Sequence, residues 1–101
     1  MATQFGERIR ALRTQQGLLL RQVASTLEMD TALLSKIERG ERLIKKEQVS
    51  EIATILKVDT EELHTLWLAD QLMDVLKDEK LADEALKKVS QNIHEKKKSG
   101  K

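Results

Sequence analysis

Between Asp30 and Arg42 the chain reads DTALLSKIERGER, a run that sets hydroxyl, amine and guanidinium groups close together at Thr31, Ser35, Lys36, Arg39 and Arg42. Lys45 and Lys46 follow it, and Arg21 and Gln22 stand shortly before it. Side chains of these types meet anions and hydrogen-bonding edges. They do not compose a reaction centre. The two histidines, His64 and His94, lie far apart with no third ligand at metal spacing, so each is expected at the surface and no metal is expected. The chain has no phosphate loop, no nucleotide fingerprint and no nucleophile-base pattern, so no catalytic residue and no cofactor are expected. The acidic clusters TEEL and DEK read as first-turn charges and solvated faces. One residue in the run is out of place. Leu34 and Ile37 suffice to bury one side of a short helix, and Leu33 adds a third large apolar group among polar ones.

These side chains need a scaffold, and composition says which kind. Within 101 residues proline is absent, glycine occurs four times, and Leu, Ile, Val and Ala recur at helical spacing, so the fold class is all-α. One small aliphatic core is the most that such a length can bury. There is no Cys, which excludes disulfides and thiolate metal sites and fits a cytosolic setting. The apolar runs are only a few residues long and MATQFGERIR lacks the apolar segment of a signal peptide, so a cytoplasmic protein with no membrane partner and no small-molecule ligand is expected. The net charge of +1 is unevenly spread. Residues 1–45 carry eight cations and five acids, residues 46–95 six cations and twelve acids, and residues 96–101 four cations and no acid. A basic first half suits a polyanionic partner.

The periodicity divides the chain into helices. Phe5, Ile9 and Leu12 form the buried face of the first, which Thr3 caps and Gly17 ends. The second, Leu20 to Leu27, turns Val23, Ala24 and Leu27 to one side; Glu28 and Met29 make a tight turn, and Asp30 caps a third that reaches about Arg39 and stops at Gly40. After the linker GERLIKK, a fourth helix from about Glu47 to Leu56 buries Val49, Ile52, Ala53 and Leu56, and Asp59 caps a fifth. The second and third helices span about two turns each and are too short to hold alone, so they must pack on one another, across Ala24. That is a helix-turn-helix arrangement, although periodicity by itself also allows a generic small bundle.

The residues Gly17-Leu18, Val23-Ala24, Leu27 and LSKIERG from Leu34 to Gly40 match, in type and spacing and without a gap, the Cro and phage-repressor type of helix-turn-helix domain, the xenobiotic-response-element family. From Phe5 to about Leu66 the chain resembles that family. The resemblance implies a five-helix lambda-repressor-like DNA-binding domain followed here by a C-terminal helical extension. It implies double-stranded DNA as partner, with the third helix in the major groove and Thr31, Ala32, Ser35 and Lys36 as base-reading residues. It also implies a structural pair, Arg13 with Glu38, beneath the recognition helix.

Two departures from the family pattern matter. Leu19 and Leu20 replace the usual small polar residue and glutamine, so Leu33 is expected to pack against that leucine pair, an apolar clip in place of a polar one. Without the glutamine, phosphate contacts fall to backbone N–H groups and to Arg21, Gln22, Arg39, Arg42, Lys45 and Lys46. Glu28 stands where glycine is common, and a left-handed conformation there has a cost.

The expected organisation is residues 1–66 as DNA-binding domain, 67–95 as helical extension, and 96–101 as a basic disordered tail. In the extension Leu81, Ala82, Ala85, Leu86, Val89 and Ile93 form one stripe on a sixth helix. Leu63, Leu66, Trp67, Met73 and Leu76 are taken as a homodimer interface, against the alternatives that Trp67 is core and that the sixth helix folds back on its own domain. The function expected is a sequence-specific transcriptional regulator, dimeric on a palindromic operator and similar to the controllers of restriction-modification or methyltransferase operons. An antitoxin that represses its own operon, and a helical protein-interaction adaptor, are the rival readings.

Overall fold

The computed structural model describes residues 3–100, with side chains through Lys97. Among the described residues all regular structure is helical: α1 (Gln4–Gln15), α2 (Leu20–Thr26), α3 (Thr31–Glu38), α4 (Lys46–Leu56), α5 (Thr60–Leu76) and α6 (Ala82–Gly100). The chain divides into two compact units, one ending at Gln71 and the other starting at Leu72.

The first unit is built on one aliphatic core. Phe5, Ile9 and Leu12 of α1 meet Val23 and Ala24 of α2, Leu34 and Ile37 of α3, and Val49, Ile52 and Leu56 of α4. Every one of these was legible from helical spacing. Ile44 was not, because it lies in the irregular linker, yet it is buried with the rest. It is held there by Trp67, whose Nε1 donates to the Ile44 carbonyl at 3.0 Å. Leu63 is completely buried. It therefore belongs to this core and corrects its assignment to an interface.

The helix ends are closed by contacts both local and remote. Thr3 Oγ1 accepts from Gly6 N at 3.0 Å, as a capping threonine should. The two preceding amides are satisfied from the far end of the sequence: the Asp70 carboxylate accepts from Gln4 N at 3.1 Å and Phe5 N at 2.8 Å. Gln16 Nε2 donates to the Leu56 carbonyl at the end of α4. Asp59 accepts from Glu61 N, the expected cap of α5. Asp30 behaves differently. It occupies the cap position of α3 with extended backbone, but its exposed carboxylate makes no capping bond. Glycine serves α1 in two ways: Gly17 ends it at φ 69°, and Gly6 lets it cross the end of α3. A Cβ at Gly6 would lie 2.6 Å from the Glu38 carbonyl oxygen and 2.7 Å from that of Ile37.

In the second unit the last turn of α5 leads through an elbow, with Asp78 at φ 66°, into α6. This helix continues through Gly100, where a disordered tail from residue 96 was expected; Lys101 lies outside the described residues. Lysines have good helix propensity, so a lysine-rich end can simply continue a helix already begun. No helix among the described residues is long and apolar enough to cross a membrane.

Candidate nucleic-acid interface

The interface candidate rests on α2 and α3 and on what fixes them. Ala24, almost fully buried, gives the two helices their close crossing. The turn between them closes with Met29 N donating to the Ala24 carbonyl at 2.9 Å and Glu28 N to the Ser25 carbonyl at 3.0 Å. Glu28 takes φ 57°, the left-handed conformation anticipated at this position. Gly40, at φ 79°, ends α3 in turn.

Beneath α3, Arg13 and Glu38 make a two-pronged ion pair: Nε to Oε2 at 2.7 Å and Nη2 to Oε1 at 3.1 Å. The third arm of the guanidinium, Nη1, donates to the Leu18 carbonyl at 2.9 Å. One side chain thus joins α1, the loop before α2 and the end of α3. The pair is largely shielded, with side-chain exposures of 12% and 6%, and Glu38 is the one buried charged residue among those described. A charge removed from water in this way needs its partner. The pair is scaffold.

On the outer side of α3, Thr31, Ala32 and Lys36 are exposed and Ser35 is half-buried. Leu33 is half-buried against the core, and so is Leu20. Leu19 is not, being 46% exposed. Leu20 and Leu33 each pack at the edge of the core, while Leu19, at the N-cap of α2, is left at the surface and takes no part in the expected clip. Leu33 is accordingly a packing residue.

Arg21, Gln22, Arg39, Arg42, Lys45 and Lys46 are all exposed. Two already have intramolecular work. Gln22 Oε1 accepts from Leu19 N at 2.7 Å, closing the start of α2, so its amide nitrogen is the part left for a phosphate. Arg39 is engaged further: Nη1 donates to Ser35 Oγ at 2.7 Å, while Nε and Nη2 donate to the Glu41 carboxylate at 2.9 and 3.3 Å. The hydrogen bond and charge of Glu41 raise the Arg39 pKa still further, and the same bond holds the Glu41 carboxyl below the usual carboxylate range. Sequence reading missed Glu41. Its spacing of two residues from an arginine in an irregular segment carries no signal that periodicity can pick up.

His64, expected at the surface, is half-buried and packs edge-on against Trp67, with ring centroids 6.1 Å apart. Among the described residues no group of His, Asp or Glu is arranged to hold a metal.

A short, closely crossed helix pair with a polar outer face on its second member defines a helix-turn-helix protein, and the chain belongs to that family: the model of the helix-turn-helix domain matches residues 4–66. It is a DNA-binding regulator of the Cro and phage-repressor type. Among solved structures it is similar to the restriction-modification controller protein C.AhdI from Aeromonas hydrophila, with 34% sequence identity and a TM-score of 0.55 over 58% of this chain and 89% of that one. No curated protein sequence matches the chain.

Proposed function

We propose that the chain is a sequence-specific transcriptional regulator that acts as a homodimer on a palindromic operator in the cytoplasm and controls a restriction-modification or DNA methyltransferase operon. The observation that carries this reading is the outer face of α3: Thr31, Ala32 and Lys36 stand free of the core on a helix whose underside is locked by Arg13 and Glu38. A rigid helix offering a hydroxyl, a methyl and an amine can read base edges in a major groove. Ser35 completes the set. Arg21, Gln22, Arg39, Arg42, Lys45 and Lys46 then hold phosphates and fix the register. Residues 1–66 bind DNA and 67–95 bring two copies together. Leu66 and Trp67 are half-buried on the core, so of the residues expected at the interface Leu76 and exposed Met73 remain, at the border of contacts that the rest of the extension must supply. The similarity to a restriction-modification controller supports the narrower assignment.

Selection of bound DNA from a random pool tests the whole reading. A palindromic site, with half-sites set by the two-fold symmetry of a dimer, is the expected result. Enrichment of no site would sink it, and a single asymmetric site would remove the dimer.

A further inference from the structure

We infer that α6 is a self-recognition helix that packs antiparallel against α6 of a second copy of this chain. The inference rests on the dimeric reading above and names the surface and the orientation.

Among the apolar residues of α6, which also include Ala85, the positions Ala82, Leu86, Val89 and Ile93 recur at steps of four, three and four residues. That is the seam of a two-helix coiled coil. It ends at Lys96, where the next apolar position would fall. Leu86, Val89 and Ile93 are 40%, 46% and 50% exposed, and every described α6 residue after Ala82 is exposed. A lone 19-residue helix with an uncovered stripe is marginal in water. A second α6 supplies the matching seam.

Charge selects the orientation. The first turn of α6 holds Asp83 and Glu84, whereas Lys96 and Lys97 follow Glu95 at its other end, and Lys87 and Lys88 lie at its middle, where they meet each other in either orientation. A parallel pair would stack acid on acid at one end and lysine on lysine at the other. Turning one copy around brings each acidic first turn to the end of the other helix that carries Lys96 and Lys97, and opposes the two helix dipoles. A register centred between Leu86 and Val89 places Ala82 opposite Ile93 of the second copy, and Leu86 opposite its Val89, so the seam fills along its length.

The chain has no native cysteine, so introduced thiols report this geometry without background. Ala82→Cys and Ile93→Cys full-length chains are oxidised mildly, alone and mixed. Trp67, the single tryptophan, serves as a fluorescence check that the first unit of each variant is folded. In the antiparallel register the two copies of residue 82 stand about 16 Å apart along the pair, eleven residues at the helical rise, and only the mixed sample forms the disulfide in quantity. Disulfides that form equally well in each variant alone indicate a parallel pair and overturn the inference. So does wild-type protein that scatters light as a monomer at tens of micromolar, or as a dimer whose mixed thiols stay reduced. The DNA reading fails separately: a dimer cross-linked as expected that enriches no DNA sequence keeps this inference and loses the other, and a palindrome bound without the mixed disulfide does the reverse.

Discussion

At the scale of single residues, the candidate interface holds one conflict, and it is between charges. Arg39 sits at the end of α3, where a phosphate contact is expected, yet Glu41 already takes two of its N–H groups and Ser35 a third. The pair is about half exposed on both sides, so its net strength in water is small. Its effect on binding is larger than its strength suggests, because a phosphate must displace the carboxylate and then lie beside it. Glu41→Gln should therefore tighten binding severalfold on specific and random DNA alike. It should also steepen the salt dependence by up to about 0.9 in the log-log slope, since a freed arginine now releases a counterion. Combined with Arg39→Ala the gain should vanish. Titrations across a salt series check this, and an unchanged slope in Glu41→Gln would show that Arg39 stays clear of phosphate. Reading residues behave otherwise. Thr31→Ala or Lys36→Ala should cost roughly 1 to 3 kcal/mol on the best site and little on random DNA. A panel of single-base variants reveals it as relaxed preference at one base pair in each half-site, and an unaltered ranking would remove these residues from the reading set.

At the scale of elements, what the sequence conveys well is whatever repeats. Phe5, Ile9 and Leu12, or Val49, Ile52 and Leu56, announce their helices through spacing, and Thr3, Gly17 and Gly40 announce the ends through turn chemistry. Contacts between elements leave no such trace. Asp70 caps α1 from 65 residues away, Trp67 pins the linker at Ile44, and Arg8 pairs with Glu62 at 2.6 Å. None of these has a period. Gly6 is an intermediate case: a glycine inside a helical pattern signals a close approach without saying to what. The α2–α3 pair, the part that matters for DNA, depends on such contacts because neither helix could stand alone. Gly6→Ala should accordingly destabilise the first unit by roughly 1 to 3 kcal/mol, the cost of overpacking against backbone carbonyls that cannot turn aside. Glu38→Ala should cost about 3 kcal/mol, by leaving Arg13 shielded from water without its partner. Denaturant unfolding followed by Trp67 fluorescence measures both, and losses within a few tenths of a kcal/mol would contradict the packing described.

At the scale of the whole molecule, the chain places its apolar surplus at one end. Every core residue lies at or before Leu63, whereas Leu72, Met73, Val75, Leu81, Leu86, Val89 and Ile93 are exposed large apolar residues. A helix-turn-helix unit that binds one half-site gains affinity when a second copy is linked to it, because the second contact then forms at high effective concentration. The first unit keeps its own caps and its single tryptophan in a chain cut after Leu76, since Asp70 and Trp67 are retained. Such a truncated chain should unfold with the same Trp67 transition as the full chain. It should also sediment as a monomer at tens of micromolar and bind a palindromic site only as tightly as an isolated half-site. Sedimentation and binding titrations on both chains decide the matter. A truncated chain that dimerises as well as the whole would move the interface off α6 to what that chain retains, where Leu19, Leu43 and Leu68 of the first unit and Leu72, Met73 and Val75 at the end of α5 are the exposed large apolar groups. A truncated chain that unfolds would instead mean that the second unit supports the first, and the division of labour between reading and pairing would have to be abandoned.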